Sequence, residues 1–294
     1  MGIAGWRLKC IALSGTRIRG TLLMSASPRT KLIAGIILIA AFAAGAWLLW
    51  RQVDERMTTG PQYRVELDDI ELHPQQPPWI ETDIRAEVFQ QLSARGPLSL
   101  LDDALAVDVA EAFAAHRWVE QVEQVRKSHP SRVTVNVTYR RPVCLVELPD
   151  ATGGRRIAVD RGAVVLPGAG TLEDRLPVLV GVRVPPAGPI GQPWGDPVVL
   201  GGAEVAAAVR PYVPLWGVTR IIPSRAPAAG VAEGIEYALL CVDGTRIIWG
   251  PAPGDAPPSE PEADRKVTRL KSFFQQRAEQ GPIDIDVRRL PDGE

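Results

Sequence analysis

The sequence predicts an α+β protein with one N-terminal membrane-spanning helix and two strand-bearing units beyond it. Three observations carry this. Leu32 to Trp50, LIAGIILIAAFAAGAWLLW, runs 19 residues without a charge. Residues 63–139 read as strand, helix, helix, strand, strand. After Pro142, strand-like runs dominate until a closing helix and an alternating strand.

The first segment, 1–31, holds six basic residues (Arg7, Lys9, Arg17, Arg19, Arg29, Lys31) and no acidic one. Taking these six from the chain's 33 basic residues leaves 27 against 34 acidic, a net of −7 for the remainder. Such a split assigns the two parts to different surroundings. Between them, 32–50 as a helix rises about 1.5 Å per residue and reaches roughly 28 Å, close to the roughly 30 Å hydrocarbon core. Trp47 and Trp50 sit at one end, where indoles favour headgroups. The basic N-terminal flank predicts a cytoplasmic tail at 1–31 and everything after Trp50 outside. AFAAGA at 41–46 offers small residues to a signal peptidase, but the long apolar run and long basic flank favour an uncleaved anchor. Met24 would also serve as a start. No second run reads as long enough to span. Cys10 falls on the cytoplasmic side; Cys144 and Cys241 share the outer compartment, where a disulfide is permitted, although their apolar surroundings favour two buried thiols.

Residues 51–62 end in Gly60-Pro61 and form a linker. YRVELDDIEL (63–72) alternates as a strand, and HPQQPPW (73–79) is a loop because its prolines cannot donate to a ladder. Thr82 or Asp83 caps a helix lined by Ile84, Val88 and Leu92, stopped at Gly96-Pro97. Asp102 or Asp103 caps a second with Leu105, Val109 and Phe113 inside. Val119, Val122 and Val125 fit no clean period, so a strand is predicted only over Val122–Lys127. Val133, Val135, Val137 and Tyr139 alternate with polar residues as a strand with one buried face. Pro142 interrupts it, and apolar residues resume at once, so one extended segment is predicted to serve two sheets.

Beyond Pro142, strands are predicted at 143–148, 157–166, 176–184, 218–222, 235–242 and 245–249, with Asp160-Arg161-Gly162 and Asp243-Gly244 as hairpin turns. A helix is expected at Gly202–Val213. PAPGDAPPSEPE (251–262) is a Pro-rich loop, 263–280 a helix on Val267, Leu270 and Phe274, and GPIDIDVRRL (281–290) a final strand.

Catalysis finds little support. His73, His116 and His129 share no ligand spacing. No G-x-S-x-G, Walker loop or G-x-G-x-x-G occurs. Asp68-Asp69 and Asp102-Asp103 are adjacent pairs whose side chains diverge, which suits caps and turns. The expectation is no catalytic, cofactor or metal residue and no small-molecule substrate. Basic pairs at 126–127, 140–141, 155–156 and 288–289 sit in a net-acidic exported part, which disfavours nucleic acid; they read as edge charges that deter unwanted pairing.

Several stretches in order resemble the FtsQ/DivIB family of bacterial cell-division proteins: Tyr139-Arg140-Arg141-Pro142-Val143-Cys144, AVDRGAVVLP (158–167), LPVLVG (176–181), DGTRIIWG (243–250), KVTRLKSFF (266–274) and IDVR (285–288). The resemblance covers nearly all of 31–290, with Arg117 standing where a proline commonly precedes Trp-Val and HPQQPPW replacing the usual tight entry to the first helix. It implies a polypeptide-transport-associated (POTRA) domain at 63–142 and an FtsQ-type, mixed but mainly antiparallel β domain at 143–294. It also implies a single-pass protein of the inner or cytoplasmic cell membrane, anchored in the bilayer by 32–50, with its body periplasmic or extracytoplasmic and enriched at the division site. The implied role is a non-enzymatic divisome scaffold whose partners are FtsB-like and FtsL-like bitopic proteins and other divisome components. Ile283–Leu290 offers them a sheet edge, so Asp284, Asp286, Arg288, Arg289 and Leu290 are the partner-facing residues expected. An envelope export component with POTRA units and a membrane-anchored envelope enzyme are the rival readings.

Overall fold

The computed structural model describes residues 38–50, 63–149, 154–226, 234–277 and 282–292. The chain separates into two compact units, Met1–Met57 and Thr58–Glu294. In the first, helix α1 (Leu38–Trp50) is apolar, and Leu38, Ile39, Phe42, Leu48, Leu49 and Trp50 are exposed. Residues 32–37 of the predicted span, the basic tail and the 51–62 linker lie outside the described residues.

The second unit begins with β1 (Ile70–His73), α2 (Ile84–Ser93), α3 (Leu105–Ala114), β2 (Val119–Ser128) and β3 (Arg132–Tyr139). Its three strands form one sheet in the order β1-β3-β2, with β1 parallel and β2 antiparallel to β3. Asp83 caps α2, its Oδ1 accepting from the Arg85 and Ala86 N–H groups at 3.0 and 3.2 Å; such a cap contributes about 1 kcal/mol. Asp102 acts one turn ahead of α3 instead, accepting from the Ala104 N–H at 2.9 Å. Ile84, Val88, Leu92, Leu105, Val109 and Phe113 are buried against Val133, Val135 and Val137.

Two strands differ from expectation. The predicted strand 63–72 is cut to Ile70–His73, because the Glu66 N–H and Asp69 carboxylate close a capping box that winds Leu67–Asp69 into a 3-10 turn. The weak strand over 122–127 extends to Val119–Ser128. Bulges between Val119 and Gln121 and between Val122 and Gln124 each insert one residue. Two plus one gives the odd spacing of three, and the valines fall opposite Tyr139, Val137 and Val135.

The remaining strands are β4 (Cys144–Leu148), β5 (Arg155–Val159), β6 (Val178–Leu179), β7 (Val218–Ala226), β8 (Gly234–Cys241), β9 (Arg246–Pro251) and β10 (Asp284–Asp286). They form a seven-stranded sheet, β10-β9-β8-β7-β6-β4-β5. It is mixed, as expected, and most of its pairing is antiparallel: the longer ladders β4–β5, β7–β8 and β8–β9 are antiparallel, while the short β10–β9, β6–β7 and β4–β6 are parallel. Val133–Leu148 thus enters two sheets, leaving the first after Tyr139 and joining the second at Cys144. The predicted strand 176–184 shrinks to two residues because Gly181 turns left-handed at φ 79° and Pro185-Pro186 follow.

Helix α4 (Pro197–Val209) leads through a 3-10 turn (Arg210–Tyr212) into the short α5 (Val213–Trp216). It begins five residues earlier than predicted. Asp196 caps it at 2.8 Å from the Val198 N–H, with Pro197 at the first turn. Gly201 and Gly202, weak helix formers, are a packing face here: a Cβ on Gly202 would sit 2.7 Å from Leu179. The stretch Pro197–Trp216 is long and apolar enough to cross a membrane by composition, contrary to expectation. Yet Val199, Ala203, Val205, Ala206 and Val209 are buried on the sheet, so it is a core helix. Helix α6 (Ala263–Gln276) adds Leu270 to the same core. Cys144 and Cys241 are free and buried, and burial pushes their thiols up to about 12 and about 11.

Candidate functional site

Ile283, Ile285 and Val287 carry the alternating face that packs on the large core. Ile285 and Val287 are buried, and Asp284 is exposed. β10 runs parallel to β9 in the register Asp284 to Arg246, Ile285 to Ile247 and Asp286 to Ile248. The Ile283 carbonyl accepts from the Arg246 N–H at 2.9 Å, and the Val287 N–H donates to the Ile248 carbonyl at 3.2 Å. Alternation along a parallel ladder therefore turns the Asp284 N–H and C=O, and the Asp286 N–H, away from β9. β10 is an edge of its sheet, and no described strand lies on that side.

The edge is shorter than the sequence predicts. It ends at Asp286, and Val287–Arg289 form a turn closed by the Arg289 N–H to the Asp286 carbonyl at 3.0 Å. The cause is the Asp286 side chain. Its Oδ1 accepts from the Arg288 N–H at 3.1 Å and from Arg288 Nε at 2.9 Å, and its Oδ2 accepts from Nη2 at 3.1 Å. An aspartate that binds the backbone two residues on competes with a continuing strand. Arg288, Arg289 and Leu290 are thus in a turn and bend, not in a strand. Arg288 also reaches Glu236 on β8 at 3.0 Å. Burial works to raise the Asp286 carboxyl, but the bonds from Arg288 outweigh it and hold it below the usual range. Of the five expected residues, Asp286 and Arg288 are engaged with each other, Leu290 is half-buried, and Asp284 and Arg289 remain exposed.

Residues that the sequence did not single out hold this edge in place. Lys266 on α6 is buried, donates to the Trp249 carbonyl at 2.8 Å and meets Glu260 Oε1 at 2.5 Å. Burial lowers its pKa, opposed by Glu260. Gly250 sits at φ 88° beside them; a Cβ there would meet Glu260 at 2.8 Å and Arg288 at 3.3 Å. Arg269 donates to the Arg288 carbonyl at 2.9 Å and to Asp292 Oδ1 at 2.8 Å, and Arg265 pairs with Asp292 as well. Lys266 stands four residues before Leu270, on the apolar stripe of α6, and that spacing was the available signal.

The histidines do not converge. His116 meets Glu87 at 3.2 Å and accepts the Trp118 N–H at 3.3 Å, while His129 stacks edge-on with Tyr63.

The chain is similar to the cell division protein FtsQ of Anaeromyxobacter sp. (strain K), with 28% identity over 231 residues that cover 71% of this chain and 69% of that protein. No protein-family model matches the chain. The likeness supports an FtsQ-like protein.

Proposed function

We propose that the chain is a single-pass scaffold of the cell-division machinery. The observation that carries this is its similarity to FtsQ over 71% of its length. On this reading 32–50 anchors it, and 63–142 is a POTRA domain with the sheet order β1-β3-β2. Residues 143–294 are the FtsQ-type β domain. No reaction is assigned to it. Its work is to hold other division proteins, FtsB-like and FtsL-like, at the septum.

The docking mode that the geometry supports is strand addition at β10. The outward N–H and C=O of Asp284 and the N–H of Asp286 offer main-chain bonds to an incoming strand. Asp284 on the edge and Arg289 in the turn that follows it are exposed and of opposite charge, which favours a partner carrying complementary charges. A fluorescent fusion in live cells tests the role. Enrichment at mid-cell during constriction is expected. An even membrane signal at every stage would contradict it and favour an export component or an anchored enzyme.

A further inference from the structure

Three arginines from three separate segments surround one cleft on the opposite half of the large sheet. Arg141 lies on the β3–β4 connection, Arg175 ends the 3-10 turn Gly170–Arg175, and Arg210 follows the last residue of α4. The cleft holds about 390 Å³, and its walls are apolar: Pro142, Val143, Leu176, Pro177, Pro211 and Val213. No carboxylate lines it. Some arginines elsewhere are matched to a carboxylate, such as Arg140 to Asp160, Arg117 to Glu87, Arg269 to Asp292 and Arg288 to Asp286, while others among the described residues stand singly on the surface. Among the described residues, Arg141, Arg175 and Arg210 have no ion pair. Glu173 and Asp174 precede Arg175 but do not line the cleft.

Arg141 and Arg210 are positioned without being neutralised, and Arg175 is exposed at the cleft's rim. Arg141 sits 4.9 Å above the Trp79 ring, a contact that orients a guanidinium and leaves its charge uncompensated. Arg210 is half-buried, and burial and the nearby positive charge of Arg141 both lower its pKa. The C-terminal carbonyls of α4 supply only a partial negative charge there. Three like charges around one apolar-walled cleft with no carboxylate in its lining are what a bound anion would neutralise.

We propose that this cleft is an oxyanion site that takes a phosphomonoester on an apolar carrier. A guanidinium fork matches phosphate oxygens two at a time. A phosphomonoester carries roughly −1.5 to −2 near pH 7 and has three terminal oxygens, enough to engage three arginines. A single carboxylate would leave the site strongly positive. The proline and leucine walls suit an apolar carrier beside the phosphoryl group. The group is borne either by a soluble ester or by a lipid phosphate, and the two are distinguishable.

The test is calorimetric titration of the full chain in a nonionic detergent, at constant ionic strength, with phenyl phosphate. Saturable one-to-one binding is expected. Benzoate, with a similar carrier and one charge, should bind at least about tenfold more weakly, as should phenyl phosphate to Arg175→Gln or Arg210→Gln. Arg210→Lys keeps a cation and guards against misfolding as an explanation. It should melt with the wild type and still bind at least about tenfold more weakly, because the fork is lost. Dihexanoyl phosphatidic acid, used below its micelle concentration, identifies the source. Binding at least about tenfold tighter than phenyl phosphate supports the site as one for a lipid phosphate, and equal or weaker binding supports it as one for a soluble ester. No saturable binding of either phosphate would overturn the proposal. So would an Arg141→Gln, Arg175→Gln, Arg210→Gln triple variant that folds and binds like the wild type.

Discussion

Lys266 and Glu260 form a buried pair behind the β10 edge, with side chains 2% and 10% exposed. Removing one member strands the other. Lys266→Met is expected to cost about 3–5 kcal/mol in denaturant unfolding, because Glu260 keeps its charge with no partner. Restoring balance with Glu260→Gln should recover part of this loss; a double variant no better than the single one would show that lost packing, not charge, is the cause. Asp286 gives a pH signature. Its folded pKa is held below its unfolded value of about 3.9, so its contribution is complete above that value and fades as pH falls through the folded pKa. Asp286→Asn should therefore lower the melting temperature at pH 7, with the gap to wild type closing below about pH 4. A gap independent of pH would contradict the carboxylate's role. Much of this was legible at the level of type rather than partner. The alternation of Ile283, Ile285 and Val287 named the buried face, but the same alternation masked the competing local bond from Asp286 to Arg288 two residues on, whose guanidinium also reaches Glu236 on β8.

At the scale of elements, the proposed docking edge separates cleanly from the native ladder. Asp284 points its N–H away from β9, whereas Ile285 lies in the inward-bonding set of the ladder and is buried. Proline at Asp284 should leave the melting temperature within a few degrees of wild type and abolish partner capture in a pull-down. Ile285→Pro should destabilise the sheet itself. If Asp284→Pro folds and captures partners as before, strand addition at β10 is wrong. Elements with strong local chemistry were readable: α2 from Asp83 and its i, i+4 stripe, β3 from strict alternation, and α6 from Val267, Leu270 and Phe274. Others were hidden by long-range geometry. β2 read as aperiodic because bulges against β3 set its spacing. The start of α4 was obscured because Gly201 and Gly202 weaken a helix locally yet allow it to approach Leu179 and Tyr237 closely. The terminal strand read too long because the turn after Asp286 rests on side-chain bonds.

For the whole molecule, the two sheets are joined by more than the covalent segment at 140–143. Arg140 reaches Asp160 at 2.7 Å, and the same carboxylate accepts the Gly162 and Val164 N–H groups at 2.9 Å each. Leu145, Ala158 and Val178 of the large sheet belong to the core that covers the small one. A body built this way presents its edges in fixed relation, which suits a scaffold more than a hinge-driven machine. The second edge, β5, carries exposed Arg155 and Arg156, and such charges discourage strand pairing there. We propose that the other edge, β10, receives a strand from a division partner. Site-specific photocrosslinking in dividing cells, with the photoreactive residue placed at Asp284 and, as a control, at Arg156, tests this most directly. A crosslink to a small single-span division protein from position 284 and none from position 156 is predicted. Equal crosslinking from both positions, or none from 284 in constricting cells, would contradict it.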